Sequence, residues 1–292
     1  MTELRILTTG PLTTVQDLGR TGAAHIGVGV SGAADRGSFR LANRLVGNPE
    51  EYAGLEITLG GLSLRADHPL TVALTGADCP LTVNDCAAAP NAVLRVPAGG
   101  VLTVGTPSHG ARGYLAIRGG VDVDPVLDSR ATDTLSGLGP PPVRPGDVLP
   151  VGPPPPEFPL VDTAPVPSPP EGDLVLTVTP GPRADWFTGE ALATLLGAGY
   201  RVTPESDRVG MRLDGPPLER RHGGELPSEG MVAGALQVPP SGRPTLFLAD
   251  HPVTGGYPVI AVLRSAEVDR AAQARPGQRL WFRAERGRGP LS

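Results

Sequence analysis

The sequence predicts a mainly β protein organised in two domains, and three observations support that class. Short apolar runs recur along most of the chain, and Gly, Pro, Asn and Asp bound them. This pattern is typical of strands joined by tight turns. Few segments have a spacing of apolar residues that suits a helix. A Pro-rich stretch separates two groups of strands, and 292 residues are enough for two domains of about 130 residues each.

The first half of the chain contains most of the predicted strands and one predicted helix. The strand runs are residues 3–10, 54–66, 69–76, 91–96, 100–106 and 112–120. The helix covers Ser38–Val46, where apolar and small residues recur on one face. Asp35 or Ser38 is a suitable N-cap, and Gly47 suits the C-terminal end. Asp35 and Arg40 are expected to form a structural ion pair at the helix start.

The second half repeats this organisation with fewer strands. Its clearest strand runs are residues 173–180, 243–250 and 257–264. A helix is predicted over Glu190–Leu196, which Gly197 follows. A shorter helix or turn is predicted over Glu267–Ala274, ended by Pro276.

The Pro-rich stretch lies between residues 140 and 172 and contains the words PPPVRPGD, GPPPPEF and APVPSPPEG. Proline lacks the N–H group that a central strand needs, so we expect an extended surface path there. The expected organisation is an N-terminal domain over 1–150, a connector over 151–172 and a C-terminal domain over 173–292.

Composition and charge exclude several functions. All 25 basic residues are Arg, so the chain has no Schiff-base Lys, no P-loop Lys and no Lys to carry biotin. Any phosphate or carboxylate must be held by Arg, although a GC-rich genome alone also favours Arg. The net charge of −5 and the lack of a basic run argue against nucleic acid. No signal-like or membrane-spanning apolar run is present, so a cytoplasmic protein without membrane contact is expected.

Metal and disulfide chemistry are not expected. Cys79 and Cys86 have no accompanying His cluster, and a zinc site needs such a set of ligands. A disulfide is improbable in a cytoplasmic protein, so both are interpreted as free thiols. No GxSxG, HExxH, P-loop or Rossmann fingerprint occurs in a suitable context.

The segment Thr14–Asn48 contains an unusual density of hydrogen-bonding side chains on a Gly-rich background. Such a segment either binds a polar ligand or partner, or forms a solvated loop before a helix. His25 is a candidate catalytic residue because imidazole titrates near neutral pH. Arg40 is a candidate anion-binding residue if its side chain points into a cleft. A structural hydrogen-bonding role is the alternative for His25.

Four further polar clusters contain the other candidates. Asp78 ends the word TGAD, which suits ligand binding or an Asx turn equally. Arg130 lies among hydroxyls in SRATD and can hold an anion or form an ion pair. In SDRVGMRL, period-two spacing predicts that Arg208 and Arg212 share one strand face, for anion binding or for an Asp–Arg network.

The last cluster is the longest and extends over residues 225–258. Glu229 and Gln237 are its candidate catalytic residues, because an acid and an amide beside a glycine turn can bind and polarise an amide. Three further residues of this cluster are candidate substrate-binding residues: Ser228, Thr254 and Tyr257.

The words TVQDLGR and SGAADRGSFRLANRLVGN resemble a family that includes the biotin-dependent carboxyltransferase subunits, allophanate hydrolase subunit 2 and the C-type subunits of 5-oxoprolinase. The resemblance continues through LEITLGG, TGADCP, GARGYLAIRGG, SRATD, SDRVGMRL, SEGMVAGALQVPPSGRPTLFLAD and TGGYP. The chain departs from the family's usual words at Asp128 and at His251–Val253. The resemblance implies a fold of two cyclophilin-like β-barrel domains.

The resemblance also implies a function shared with partner subunits. Its main implication is the C-type subunit of an ATP-dependent 5-oxoprolinase that opens 5-oxoproline to glutamate, with ATP, and possible Mg, as co-reactants. The expected partners are a subunit-1-type protein, similar to the B-type component of 5-oxoprolinase, and a lactam-hydrolase protein of the A type. One alternative is a carboxyltransferase that acts on urea or allophanate with carboxybiotin. Another is a non-enzymatic regulator that binds a kinase-inhibitor-like partner. An amidase-type allophanate hydrolase is excluded because its Ser–Ser–Lys triad needs a Lys.

Overall fold

The computed structural model describes residues 2–158, 161–224 and 226–285. The chain divides into two compact units, Met1–Glu171 and Gly172–Ser292. Strands dominate both units, and the described residues include three α-helices. The predicted mainly β fold class is therefore confirmed.

Eleven strands of the first unit form two antiparallel sheets. Their bounds are β1 Thr2–Thr9, β2 Leu12–Gln16, β3 Gly54–Thr58, β4 Leu62–Ala66, β5 Leu70–Gly76, β6 Leu81–Val83, β7 Cys86–Ala88, β8 Val93–Val96, β9 Val101–Val104, β10 Arg112–Ile117 and β11 Val148–Val151. One sheet has the order β11-β1-β4-β9-β6-β7, and the other has the order β2-β3-β10-β5-β8.

Both sheets of the first unit contribute to one apolar core. On β1, Leu4 and Ile6 are buried and Arg5 between them is exposed, which is the alternation of a half-buried strand. Strands β5 and β10 are buried along almost their whole length, which fits their central positions. The core extends from Leu4 to Leu149, so strands distant in sequence depend on one another.

The first helix, α1 (Arg36–Leu45), packs against β5 and β10. It begins two residues before the predicted helix because Asp35 is the N-cap, and its carboxylate accepts a 2.9 Å bond from the Ser38 N–H. The expected Asp35–Arg40 ion pair is therefore wrong. Arg40 instead pairs with Glu50 at 3.3 Å.

A buried hydrogen-bond network ties the start of α1 to the sheet. The Tyr114 hydroxyl donates to Glu56 at 2.9 Å and accepts from the Asp35 N–H at 2.8 Å. Burial, with the nearby Glu56 carboxylate, raises the pKa of Tyr114 well above its ordinary value. Polar groups of the Thr14–Asn48 segment thus form hydrogen bonds that hold α1 on the sheet.

The Pro-rich stretch runs along the surface of the first unit in its described part. Arg118 donates to the Pro155 and Glu157 carbonyls, and Thr163 forms a β-bridge with Ala92. Residues up to Glu171 accordingly belong to the first compact unit. The expected domain limits at 150 and 173 remain a prediction.

Seven strands of the second unit close into one barrel, in the order β12-β19-β16-β17-β14-β13-β20. The strands of this unit are β12 Leu174–Pro180, β13 Gly199–Val202, β14 Gly210–Asp214, β15 Glu229–Gly230, β16 Ala235–Gln237, β17 Thr245–Phe247, β18 Thr254–Gly255, β19 Val259–Leu263 and β20 Arg279–Ala284. The parallel pair β12–β20 completes the ring. Strands β15 and β18 form a separate two-stranded ribbon.

Two helices flank the barrel: α2 (Gly189–Gly197) contacts β20, and α3 (Ser265–Ala272) contacts β12. Both agree with predicted helical segments within one or two residues. The hydroxyl of Thr188 caps α2 by accepting from the Ala191 N–H at 3.1 Å. In the described part of the chain, no helix is long and apolar enough to cross a membrane.

Candidate functional site

A cleft of about 250 Å³ opens beside three strands of the barrel, and we call it the barrel cleft. Strands β14, β16 and β17 and the segments next to them supply its walls. The lining residues are Asp207, Val209, Gly210, Arg212, Gln237, Pro239, Thr245, Phe247 and Tyr257. Two residues predicted from sequence, Gln237 and Tyr257, therefore meet in one cleft.

Gln237 is the last residue of β16 and is only 8% exposed. Its Nε2 donates to the Tyr257 carbonyl at 3.1 Å, which fixes the orientation of the amide because a carbonyl only accepts. Gly255 makes this position possible, since a Cβ there would lie 2.5 Å from Nε2. No described residue donates to Oε1, so this oxygen can accept a bond from a ligand N–H.

Arg212 lies on β14 opposite Thr245 of β17, and it is exposed at the barrel cleft. No described carboxylate lies within ion-pair distance of its guanidinium, although hydrogen bonding and, to a smaller extent, the charge of Arg212 lower the pKa of Glu205. Asp207 is the acid in the cleft lining, and its carboxylate accepts from the Val209 and Gly210 N–H groups at 2.8 and 3.0 Å. The cleft thus combines a guanidinium with an accepting amide oxygen. This pair can hold a small ligand that has both an anionic group and an N–H donor.

The β15–β18 ribbon carries three more of the predicted residues. Glu229 lies on β15, and Arg183 donates to it from Nε at 2.8 Å and also from Nη2. The hydrogen bond and charge of Arg183 lower the pKa of Glu229, so this carboxylate is ionised at neutral pH. Thr254, on β18, and Ser228, just before β15, are exposed. Their binding roles and the catalytic role of Glu229 stay predictions.

Arg208 has a different environment from Arg212, and the predicted shared strand face is wrong. Arg208 precedes β14 and is 1% exposed. Its Nε and Nη2 donate to the two carboxylate oxygens of Asp250 at 2.9 and 3.0 Å. The strand that was expected to align both arginines begins only at Gly210. Arg208 therefore has the contacts of a structural residue, as the Asp–Arg alternative describes.

The remaining predicted residues belong to the first unit and are not gathered in one place there. His25 lies in an exposed 3₁₀ turn, where Nδ1 is 2.9 Å from the Gly22 carbonyl. Arg130 donates to Asp122 at 2.9 Å and to the Val123 carbonyl at 2.7 Å. Arg40 pairs with Glu50, as described above.

Asp78 is part of a surface cluster in the first unit. Its carboxylate accepts from the Ser108 hydroxyl at 3.0 Å and lies 3.5 Å from His109 Nδ1. On the other side of the imidazole ring, Nε2 is 2.5 Å from Glu171. The sequence does not indicate this alignment of Ser108 and His109 with Asp78, because Ser108 lies 30 positions beyond Asp78.

The sequence does not indicate that Arg183 is the partner of Glu229, which lies 46 positions away. It also does not single out Arg212 as the arginine that lines the barrel cleft. Arg212 is visible in SDRVGMRL, but the pattern does not reveal which arginine of that word is exposed. Glu225, at the start of the last polar cluster, lies outside the described residues.

A second cleft of about 520 Å³ contains none of the predicted site residues. It is lined by Pro217, Leu218, Glu219, Arg220, His222, Gly223, Gly224, Pro240, Ser241 and Gly242. Within the described ranges, no group of three or more His, Cys, Asp or Glu side chains is arranged to hold a metal ion.

The fold and cleft define a two-unit β protein whose second unit is a closed seven-stranded barrel with a cleft beside three of its strands. The family model for the carboxyltransferase domain, subdomain A and B, matches residues 26–284, and the chain belongs to this family. Among solved structures, the chain is similar to TTHA0988, with 36% identity and a TM-score of 0.87 over 97% of this chain and 55% of that chain. It is also similar to the urea amidolyase of K. lactis, with 33% identity and a TM-score of 0.90 over 96% of this chain and 18% of that chain.

Two kinds of relative share the family. The C-type subunit of the Escherichia coli 5-oxoprolinase is 36% identical over 96% of this chain and 90% of its own length. The urea amidolyase of Lachancea kluyveri is 34% identical over 94% of this chain but only 16% of its own length. The resemblance stated from sequence words is thereby confirmed, and the chain has homologues that are named as enzyme subunits.

Proposed function

We propose that this protein is the C-type subunit of an ATP-dependent 5-oxoprolinase and that its barrel cleft binds 5-oxoproline. The observation that carries the proposal is the match to the E. coli protein over almost the full length of both chains. The matched urea amidolyase is several times longer than the region it shares with this chain.

The chemistry of the barrel cleft supports this substrate. 5-Oxoproline is a small five-membered lactam with one carboxylate and one N–H group. In this proposal the Arg212 guanidinium holds the carboxylate, and Gln237 Oε1 accepts a hydrogen bond from the lactam N–H. The volume of about 250 Å³ lies below the roughly 300–1,000 Å³ typical of drug-sized ligands. It therefore suits the lactam better than a nucleotide.

The cleft supplies binding groups rather than a complete catalytic set. Asp207, Arg212 and Tyr257 are its ionisable lining residues, and the Asp207 carboxylate already accepts two backbone bonds. We propose that ATP and the groups that open the activated ring come from the partner proteins, of the B and A types. The reaction of the assembled enzyme would join ATP cleavage to opening of the lactam to glutamate.

The first experiment measures glutamate formation from 5-oxoproline and ATP, with the purified chain alone and after reconstitution with its partner proteins. We expect turnover only in the reconstituted complex. Glutamate release by the isolated chain would contradict the proposed division of labour.

The second experiment changes Arg212 in the assembled complex. Arg212→Ala is expected to raise KM for 5-oxoproline at least about tenfold, because a hydrogen bond to a charged group contributes about 1.5–3 kcal/mol. Arg279→Gln, an exposed arginine on β20, is the control. A KM within twofold of wild type for Arg212→Ala would remove the barrel cleft as the carboxylate site.

A carboxyltransferase role with urea or allophanate is the second candidate, because the family model and the fungal urea amidolyases favour it. A biotinylated carrier protein, carboxylated beforehand by a biotin carboxylase with ATP and hydrogencarbonate, tests it when it is added to the same complex together with urea. Carboxylation of urea without any 5-oxoproline turnover would replace the first proposal with the second.

A further inference from the structure

Among the described residues of the first unit, five buried side-chain atoms have no hydrogen-bond partner; Arg40 Nε and Arg112 Nε belong to ion pairs, and the other three do not. These three are Gln16 Oε1, Arg20 Nη1 and Thr132 Oγ1. Their residues are 0%, 1% and 2% exposed. Buried polar atoms are nearly always satisfied, so a cluster of three indicates a missing hydrogen-bonding group.

The three residues converge on one short stretch of backbone. Gln16 Nε2 donates to the Thr132 carbonyl at 2.9 Å, and Arg20 Nη2 donates to the Ala131 carbonyl at 2.5 Å. The Gln16 amide cannot be reversed, because a carbonyl does not donate. The site therefore offers three groups to a ligand: the acceptor Oε1 of Gln16, the donor Nη1 of Arg20 and the rotatable hydroxyl of Thr132. We call these three residues the Arg20 site.

The charge of Arg20 is the second observation. Its side chain donates only to neutral carbonyls, those of Val126 and Ala131. Among the described residues, no carboxylate forms an ion pair with it. Asp17 is buried nearby in sequence, but its carboxylate accepts from the Gly19 N–H, the Ser129 hydroxyl and the Arg130 N–H. The Arg20 guanidinium thus has an unused donor, Nη1, and no described carboxylate within ion-pair distance, which favours an anionic acceptor at this site.

We propose that the Arg20 site binds one small oxyanion that carries a hydroxyl, of the hydrogencarbonate or hydrogen phosphate type. A negatively charged oxygen would accept from Arg20 Nη1 and from the Thr132 hydroxyl. The hydroxyl of the anion would donate to Gln16 Oε1. A water molecule can make the same three bonds, but it does not balance the guanidinium charge. The site lies in the first unit, whereas the barrel cleft lies in the second.

Thermal unfolding tests the proposal without any activity measurement. The melting temperature of the full chain is recorded against sodium hydrogencarbonate or sodium phosphate, with sodium chloride at equal ionic strength as reference. We expect a saturable increase for at least one of the two anions beyond the chloride effect. The anion with the lower half-maximal concentration identifies the better ligand.

Thr132→Val is the decisive variant because it is isosteric and its lost hydroxyl has no described protein partner. It should raise the half-maximal anion concentration about tenfold or more. Thr82→Val, a partly exposed threonine on β6, should leave that concentration unchanged. Arg20→Met should abolish the shift, and if that variant does not fold, Thr132→Val alone decides.

Two results would overturn the proposal. One is the absence of any saturable shift in the wild-type chain beyond that of chloride. The other is an equal half-maximal concentration in wild type and Thr132→Val. In an anion-free buffer, an empty site also predicts that Thr132→Val is more stable than wild type, since a buried unsatisfied hydroxyl is removed.

Discussion

Arg208 and Arg212 are four residues apart in the sequence, yet their side chains have opposite environments. Arg208 is enclosed and forms a two-bond pair with Asp250, which is itself only 2% exposed. Arg212 is exposed at the barrel cleft. Loss of one partner of a buried ion pair lowers the free energy of unfolding strongly, because the other charge is left buried without a partner. Loss of an exposed arginine hardly changes the free energy of unfolding.

We therefore expect Arg208→Ala to destabilise the chain by about 3–5 kcal/mol, because the Asp250 carboxylate would be left buried without its partner. Urea unfolding followed by circular dichroism measures this change. Arg212→Ala is the matched control and should unfold within about 0.5 kcal/mol of wild type. An Arg208→Ala variant with wild-type stability and a tenfold higher KM would show instead that Arg208 binds substrate.

Sequence reasoning selects candidate segments, but it does not indicate which side chains of a segment meet in one cleft. Gln237 and Tyr257 are predicted site residues and do line a common cleft, because the word that contains them crosses β16 and the segment after β18. Arg130 is a candidate anion-binding residue because hydroxyl-bearing residues surround it in the sequence. In the structure its guanidinium pairs with Asp122. Which side of the backbone an arginine occupies depends on where a strand begins. Because β14 begins only at Gly210, two residues after Arg208, the period-two spacing of a strand does not apply to the Arg208 side chain.

At the level of elements, the strands are predictable from sequence and their closure is not. Alternating burial on β1 and full burial on β10 follow directly from the apolar pattern. The parallel pairing of β12 with β20 joins residues more than a hundred positions apart, and no local pattern indicates it. Of the two predicted N-caps of α1, the structure confirms Asp35, so the helix begins at Arg36, two residues before the predicted start.

The hairpin between β6 and β7 has a turn that its sequence does not favour fully. Asn84 and Asp85 both have positive φ, of 50° and 62°, as a type I′ turn requires. Asp85→Gly should stabilise the chain by about 0.4–1 kcal/mol, because glycine adopts this conformation without strain. Differential scanning calorimetry should show a higher Tm. Asn84→Gly is the contrast, since it loses the 2.8 Å bond from the Val101 N–H to the Asn84 side chain. A lower Tm for Asp85→Gly would contradict this account.

The β15–β18 ribbon is fastened to the 3₁₀ turn at residues 184–186 by the pair of Arg183 and Glu229. The hydrogen bond from Arg183 lowers the pKa of Glu229 below its ordinary 4.5. A lowered pKa in the folded state means that this carboxylate stabilises the fold above about pH 4.5. The contribution is lost as the pH falls through the lowered value.

We accordingly expect Glu229→Gln to have a lower Tm than wild type near pH 7, and the difference should shrink as the pH falls below 4.5. Parallel melting curves from about pH 7 to about pH 3 measure the difference. Glu51→Gln, at an exposed acid in the first unit, is the control. A Tm difference that stays constant across this range would show that the pair does not depend on the charge of Glu229.

At the scale of the whole molecule, each of the two units has its own apolar core, but the barrel cleft does not contain a complete set of catalytic groups. Each unit has its own apolar cluster, built around Leu55 and Ile57 in the first and around Leu236 and Phe282 in the second. We therefore expect the chain to fold without another protein. The barrel cleft, in contrast, offers a guanidinium and an amide oxygen, but its lining contains neither a histidine nor a cysteine, and the carboxylate of its one lining acid, Asp207, already accepts two backbone hydrogen bonds.

This contrast, together with relatives that are named as subunits or form part of longer chains, leads to the last prediction. The chain should fold alone and should form a stable complex when it is co-expressed with a subunit-1-type protein. Size-exclusion chromatography with light scattering would show a single species that contains both proteins. The matched control mixes the separately purified proteins, which distinguishes spontaneous association from co-folding. Because obligate complexes bury large apolar surfaces, we expect the complex to persist on dilution to micromolar concentration. Separate elution of the two proteins at that concentration would contradict stable assembly.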